Sequence, residues 1–462
     1  MAVRERVVER GQGVEAPGPK GLPLIGSAIA MKRDLLGFMH RGMLEHGDVV
    51  KAIIGPPPIR VSAFGVFHPD GVQQVLAGNA DNYCKADEVY GEVRKLLGNG
   101  LLTSEGDAWK RQKRLVQPLF THNQVASYVP MIADEGRGIV ERWSAAEQRG
   151  ESVDLHSEMT RVTLRVVGRA VFGTDVDHMI PIFKDSVPYL SKRAFERGIN
   201  PFPVPEDWPL PGNKRALAYK SSIEDVVNEL IASRRQSPTE GNDLLNMLIR
   251  AQDPEGGVGL SDDEVRDQAL IFLMAGHETT ATALTFTFHL LGHHPEAQSR
   301  VRAEAEAVFG GGELTMDTIR GLSYTMQVVK EAMRLYPSAH AIPRSAIGDD
   351  VVTGYRIPAG SPVITSPWVT HRHPAFWDDP ECFNPDRFTP EREAARHRYA
   401  YFPFGGGPRA CIGQYFSMLE AVIVTAMVIG TYDVATAERK VPLFLGITLR
   451  PAGAMPATLT RR

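Results

Sequence analysis

The sequence predicts a mainly α-helical protein with small β-sheets, and three observations carry that prediction. From about 105 to 350, apolar residues recur at i, i+3 and i+4 with few alternating runs. The β-like pieces are short: "DVVKAIIG" and "IRVSAFG" near the start, and "DDVVTGYRIPAGSPVITSP" after 349. One segment, Asp262 to Leu291, would span roughly 45 Å as a helix, and its middle is apolar nearly all round, so that middle is expected to be buried.

In chain order, residues 1–16 mix acids and bases without an apolar core segment. They read as a flexible arm and not as a signal or transit peptide. "PGPKGLPLIGS" (17–27) is a stiff Pro/Gly lead-in. The Pro-rich stretches "NPFPVPEDWPLPGNK" (200–214) and "DPEGGVGLS" (253–261) interrupt helices that resume on both sides. Neither reads as a domain linker, so 17–462 is expected to be one domain. At 43% hydrophobic, 23% charged and net charge −4, the chain has material for a core and no overall attraction for nucleic acid. Three cysteines without a CxxC pair suit a reducing compartment. No apolar run reads as membrane-spanning, which gives the expectation of a cytoplasmic protein without a membrane anchor.

The long helix opens at Ser261-x-x-Glu264, a capping box, and stops at Gly292 ahead of Pro295. Its apolar middle holds Gly276-His277-Glu278-Thr279-Thr280, although a buried carboxylate is costly. A zinc-binding HExxH reading fails because position 281 is Ala. Two readings stay open: a helix defect satisfied by its neighbours, or a hydroxyl and a carboxylate at a helix bulge that hold water and relay protons.

Glu331 and Arg334, three apart among Val328, Val329, Met333 and Leu335, read as a buried pair that needs a third charged partner. "WKRQKR" (109–114) is either a solvated basic face or a site where Trp109 and Lys113 meet an anionic cofactor while outward cations meet an acidic partner. His371-x-His373 reads as structural.

"FPFGGGPRACIGQYF" (402–416) admits two chemistries. A dinucleotide loop is opposed by Pro403 and Pro408 and by the lack of alternating strand–helix units. The alternative is a thiolate: Cys411 at a helix N-terminus feels the positive end of the dipole, and glycines admit backbone amides and a flat macrocycle. Thiolate is also the form that ligates haem iron.

With these motifs in this order, the sequence resembles the cytochrome P-450 superfamily, in its soluble bacterial type, over essentially the whole chain. "FGGGPRACIG" (404–413) resembles the family's cysteine-ligand loop, "AGHETT" (275–280) its oxygen-activation helix, "EAMR" (331–334) its Glu-x-x-Arg, and "FNPDRF" (383–388) its meander. The resemblance implies a triangular helical body with a long central oxygen-activation helix and a small β domain. It also implies haem b (iron protoporphyrin IX) ligated by Cys411, with Phe404 packed near the sulfur. Gly405, Gly413, Ala275 and Gly276 would lie along the cofactor, and Trp109, Lys113, Arg344 and Arg409 would contact its propionates. Lys113 stands where the family often has Arg, so it keeps the charge but loses the bidentate fork. Glu331, Arg334 and Arg387 would form the structural triad, and Glu278 and Thr279 would be catalytic.

By the same resemblance, Val89, Leu96, Phe195, Ala275, Ala339, Ile342 and Ile447 would line an apolar substrate pocket. The implied activity is hydroxylation or another oxidation of a terpenoid, steroid, fatty acid or polyketide by a monomeric enzyme. O2 and two electrons are needed, the electrons coming from a separate ferredoxin and its NAD(P)H-dependent reductase, with Lys110, Arg111 and Arg114 as docking cations. A peroxide-driven peroxygenase and a non-catalytic haem sensor or carrier are the competing functions.

Overall fold

Ser261 accepts a hydrogen bond from the Glu264 amide at 3.3 Å, and the Glu264 carboxylate accepts one from the Ser261 amide at 2.9 Å. This closed capping box starts a helix that runs Asp262–Gly292. The bulge expected at 276–280 is absent. Thr279 donates its hydroxyl to the Ala275 carbonyl at 2.7 Å within a continuous helix, and a threonine bonded back to i−4 is satisfied without opening the turn. From Val265 to Leu291 every residue is buried except Arg266, Ala275, Gly276 and Thr279. Fully buried Leu273, Leu284, Phe286 and Phe288 each contribute about 1.5–3 kcal/mol of burial free energy.

The computed structural model describes residues 13–56, 60–200, 203–237, 241–253, 255–310, 314–437 and 439–462. Contacts divide them into two compact units. One comprises residues up to Asp87, Ala339–Cys382 and Pro390–Cys411; the other comprises Glu88–Ser338, Phe383–Thr389 and Ile412–Arg462.

The first unit is built on a five-stranded sheet in the order Val49–Ile54, Val61–Val66, Pro362–Thr365, Ile342–Ala346, Tyr83–Lys85. Val61–Val66 and Pro362–Thr365 pair in parallel, and the other pairs are antiparallel. The segment 48–55 and the described part of 59–65 thus supply strands, but Ile342–Ala346 falls inside the stretch read as helical. Its alternating burial puts Ile342, Arg344 and Ala346 on one face. Asp350–Val352 and Tyr355–Ile357 form a hairpin whose turn residues Thr353 and Gly354 both have positive φ. The arm expected over 1–16 lies outside the described residues up to 12. From Gly13 it is pinned: Val14 exchanges backbone bonds with Gly354 and Arg356, and Ala16 is buried.

The second unit is helical. The long helix packs against Leu155–Phe172, and Gly276 permits the approach: a Cβ there would lie 2.7 Å from Val167 Cγ2. Thr163 donates its hydroxyl to the His277 carbonyl across the same interface at 2.9 Å. Small sheets close the unit, Val153–Asp154 with Pro456–Arg461 and Tyr432–Thr436, and a hairpin of Leu443–Leu445 with Leu449–Pro451. Among the described residues one helix, Gln414–Thr431, is long and apolar enough to cross a membrane, contrary to the sequence expectation. It is 67% buried inside the structure, as the apolar core of a packed unit requires.

Candidate functional site

In the first unit, Cys411 is exposed at the end of a tightly folded loop. The Gly405 amide donates to the Phe402 carbonyl and the Cys411 amide to the Phe404 carbonyl, each at 2.9 Å. Gly405 and Gly407 sit at φ +73° and +64°, a region that disfavours side chains. A Cβ on Gly407 would come within 1.9 Å of the Leu76 carbonyl, and one on Gly406 within 2.3 Å of the Tyr399 ring. The glycines therefore let the loop press onto its own core. Behind it, the Phe402 amide donates to Nε2 of fully buried His371 at 2.9 Å, and His373 Nε2 meets Asp48 at 2.9 Å.

The helix after Cys411 begins at Gln414 with Gly413 as N-cap, three residues later than the sequence suggested, because Ile412 and Gly413 complete the loop. An exposed thiol on a loop with no side chain at 405–407 and a half-buried Arg409 beside it fit an iron-ligating thiolate facing a flat, anionic macrocycle. In the same unit Arg344 is buried and donates to the Pro343 carbonyl at 2.9 Å, and Phe404 is half-buried. Ala339 is half-buried and Ile342 buried.

In the second unit, Ala275, Gly276 and Thr279 form an open stripe at i, i+1 and i+4 on an otherwise buried helix. Ala275 and Thr279 face the opening, whereas the missing side chain of Gly276 turns towards Val167. Glu278 lies off this stripe. Its Oε1 is 3.9 Å from Nε of Arg450, and both side chains are largely buried. Burial raises the proton affinity of Glu278 above the ordinary carboxylate, against the pull of Thr448 and Arg450. Burial likewise depresses that of Arg450. Desolvation outweighs pairing for both partners, as expected when the charges stand beyond hydrogen-bond range.

Glu331 is in the opposite condition. Its Oε2 accepts from Arg334 Nε at 2.7 Å and its Oε1 from Arg334 Nη2 at 2.9 Å. Oε1 also accepts from the Asn384 amide at 2.8 Å and stands 3.4 Å from Arg387 Nε. Glu331 and Arg334 are fully buried.

The basic helix Gly106–Val116 corrects an expectation. Arg111 pairs with Glu264 at 2.6 Å, and Arg114 with Asp253 at 3.0 Å and Glu255 at 3.1 Å. Two of the three docking cations are thus neutralised by acids of 253–264. Lys110 is exposed, 3.7 Å from Asp107. Lys113 lies over the Trp109 ring at 5.1 Å.

Of the expected pocket residues in this unit, Leu96 lines a cleft with Leu190, Ala194 and Ala216. The Ile447 amide donates to Ser191 at 3.2 Å, Val89 backs Gly198, and Phe195 is half-buried. The cleft is not purely apolar: Glu92 on its wall holds Arg197 at 2.6 Å and Lys95 at 2.7 Å.

Sequence reasoning missed Arg450, Thr448 and Ser338. Ser338 donates its hydroxyl to the Thr279 carbonyl and accepts from the Leu449 amide, both at 2.8 Å. It therefore ties the hairpin to the helix at Thr279. These contacts join segments 59 or more residues apart, and no local spacing signals them.

The Cytochrome P450 family model matches residues 16–455. Cyclooctatin synthase of Streptomyces melanosporofaciens is 36% identical over 442 residues, covering 95% of this chain and 93% of that protein. Cyclooctat-9-en-7-ol 5-monooxygenase of the same organism is 35% identical over 411 residues, covering 89% and 87%. The crystal structure of the cytochrome P450DA heme domain superposes with a TM-score of 0.85 at 26% identity, covering 97% of this chain and 98% of that one. A family match over nearly the whole chain, carried by an exposed cysteine on a glycine-built loop, makes this protein a member of the cytochrome P450 family, a haem-thiolate monooxygenase.

Proposed function

We propose that this chain hydroxylates a ring-containing terpenoid, using O2 and two electrons from a separate ferredoxin and its NAD(P)H-dependent reductase, on haem b ligated by Cys411. The observation that carries the reading is the Cys411 loop, whose glycines and backbone bonds present one exposed sulfur. The choice of terpenoid is supported by the names of the two relatives, cyclooctatin synthase and cyclooctat-9-en-7-ol 5-monooxygenase. A separate electron donor is supported by the cysteine count: three cysteines cannot form a four-thiolate iron–sulfur cluster.

Bound haem supplies the reductive activation of dioxygen; the chain supplies the rest. Phe404 would pack beside the sulfur, Arg344, Arg409, Trp109 and Lys113 would hold the propionates, and Gly405, Gly413, Ala275 and Gly276 would lie along the group. Thr279, whose hydroxyl proton goes to Ala275, keeps lone pairs open to accept from a water on the open stripe. Glu278, a buried acid with raised proton affinity, stores and releases protons one residue away. Val89, Leu96, Phe195, Ala275, Ala339, Ile342 and Ile447 keep the substrate dry. Glu331, Arg334 and Arg387 hold the fold and take no part in chemistry.

The test of the ligand is Cys411→Ser. The reduced carbon monoxide complex of the wild type is expected to show the red-shifted Soret band of a thiolate ligand, and the variant to lose it while remaining folded. A band that persists in the variant would refute the assignment. For the substrate, cyclic terpenoid alcohols are expected to give the Soret shift of ligand binding at lower concentration than fatty acids, steroids or macrolides.

A further inference from the structure

Glu278 makes its polar contacts with the hairpin Leu443–Leu445/Leu449–Pro451. Ser338 fixes that hairpin to the helix, bonding the Thr279 carbonyl with its hydroxyl and the Leu449 amide with its carbonyl. Arg450, directly across from Phe444 in the hairpin, lays its guanidinium over the Phe444 ring at 4.1 Å. The ring holds the cation in place while its Nε stays 3.9 Å from Glu278 Oε1. Arg450 Nε is buried and makes no hydrogen bond. A largely buried carboxylate–guanidinium pair held just short of contact is wasteful as a structural bond, because unmade buried bonds are costly.

We propose that Arg450 is a positioning residue for proton delivery: fixed by Phe444 and Ser338, it turns Glu278 towards the hairpin and sets the ease with which the acid gives up its proton. The inference rests on the monooxygenase reading above and deepens it. Arg450 is the charged group facing Glu278. Thr448 faces it from the same hairpin. From the helix Leu155–Phe172, His156 stands near Arg450, but burial and that cation lower its pKa to about 4, so it stays neutral. On the long helix itself, His277 is lowered to about 4 by burial and stays neutral too. Arg450 is therefore the counter-charge among these groups. A pair locked by two short hydrogen bonds would hold the carboxylate ionised; a pair at 3.9 Å leaves it able to bind and release a proton.

The test follows the carboxyl band of Glu278 by infrared titration of the holoenzyme, assigned by its loss in Glu278→Gln. In Arg450→Gln the counter-charge is gone, and the titration midpoint is expected to rise by about one pH unit or more. Arg450→Lys keeps the charge and should stay near the wild type. Thr448→Val, which leaves the cation in place, should give a smaller rise and serves if Arg450→Gln folds poorly. The high-pH limb of product formed per NAD(P)H consumed should move in the same direction. A midpoint unmoved in both Arg450→Gln and Thr448→Val would overturn the assignment, and a fall in thermal stability alone would mark a structural role. Unchanged coupling in Glu278→Gln would instead overturn the relay reading itself.

Discussion

Two buried carboxylate–guanidinium pairs lie in the same unit and are built to opposite specifications. Glu331 is saturated: both oxygens take short bonds from Arg334, one also takes the Asn384 amide, and Arg387 stands beside it. Glu278 has a single cation, at 3.9 Å and beyond hydrogen-bond range. Equal residue types therefore do not give equal roles. A saturated pair repays its desolvation and locks chain segments together; an open pair leaves the proton free to move. The first joins Ser323–Leu335 to the meander at 384–387, and the second sits one residue from the open stripe at Thr279.

The comparison breaks most visibly at Glu331. Arg334→Met should destabilise by about 3–5 kcal/mol, because it leaves an uncompensated buried carboxylate. Urea denaturation of the holoenzyme is the measurement, and a loss below about 1 kcal/mol would show that the cluster is not the lock described here. Thr279→Val, which removes the hydroxyl and leaves the helix, should cut product per NAD(P)H about tenfold or more with little change in stability.

Glu420 supplies a third case, a fully buried acid with neither oxygen partnered, whose proton affinity burial and nearby Glu135 raise well above the ordinary carboxylate. The folded state thus binds this proton more tightly than the unfolded chain. The stability it contributes is present below the usual carboxylate range and is lost as pH rises. Glu420→Gln should accordingly flatten the decline of stability on the alkaline side, and an unchanged pH profile would count against a protonated Glu420. Smallest are the surface effects. Lys110→Glu should stay within about 0.5 kcal/mol, whereas Arg114→Glu, which sets like charges against Asp253 and Glu255, should cost more. Stopped-flow reduction by ferredoxin at two salt concentrations would separate stability from docking: if Lys110→Glu slows it and the salt dependence falls, the helix Gly106–Val116 is the docking face.

What the sequence made legible was whatever is encoded locally. The capping box at Ser261 and the stop at Gly292 are read from neighbouring residues and match the helix Asp262–Gly292. The Gly-rich loop and its cysteine are one contiguous string, so their chemistry could be argued before any geometry. The expected bulge at 276–280 failed because Thr279 finds its acceptor at Ala275, a choice between local bonds that composition does not settle. Arg450 was invisible because Ser338 seats its hairpin on the long helix beside Glu278, and that link is long-range. The acidic partners of Arg111 and Arg114 were invisible for the same reason, since they lie about 140 residues or more further along the chain. Motifs show the groups that chemistry needs, while the contacts that tune them are set by packing.

The most direct test of the account is turnover of a cyclic terpenoid under isotopically labelled dioxygen with ferredoxin, its reductase and NAD(P)H. The account predicts one labelled oxygen atom in the hydroxylated product, with the yield per NAD(P)H falling in Glu278→Gln and Thr279→Val. Unlabelled product, or turnover supported by peroxide and not by the electron donors, would contradict it.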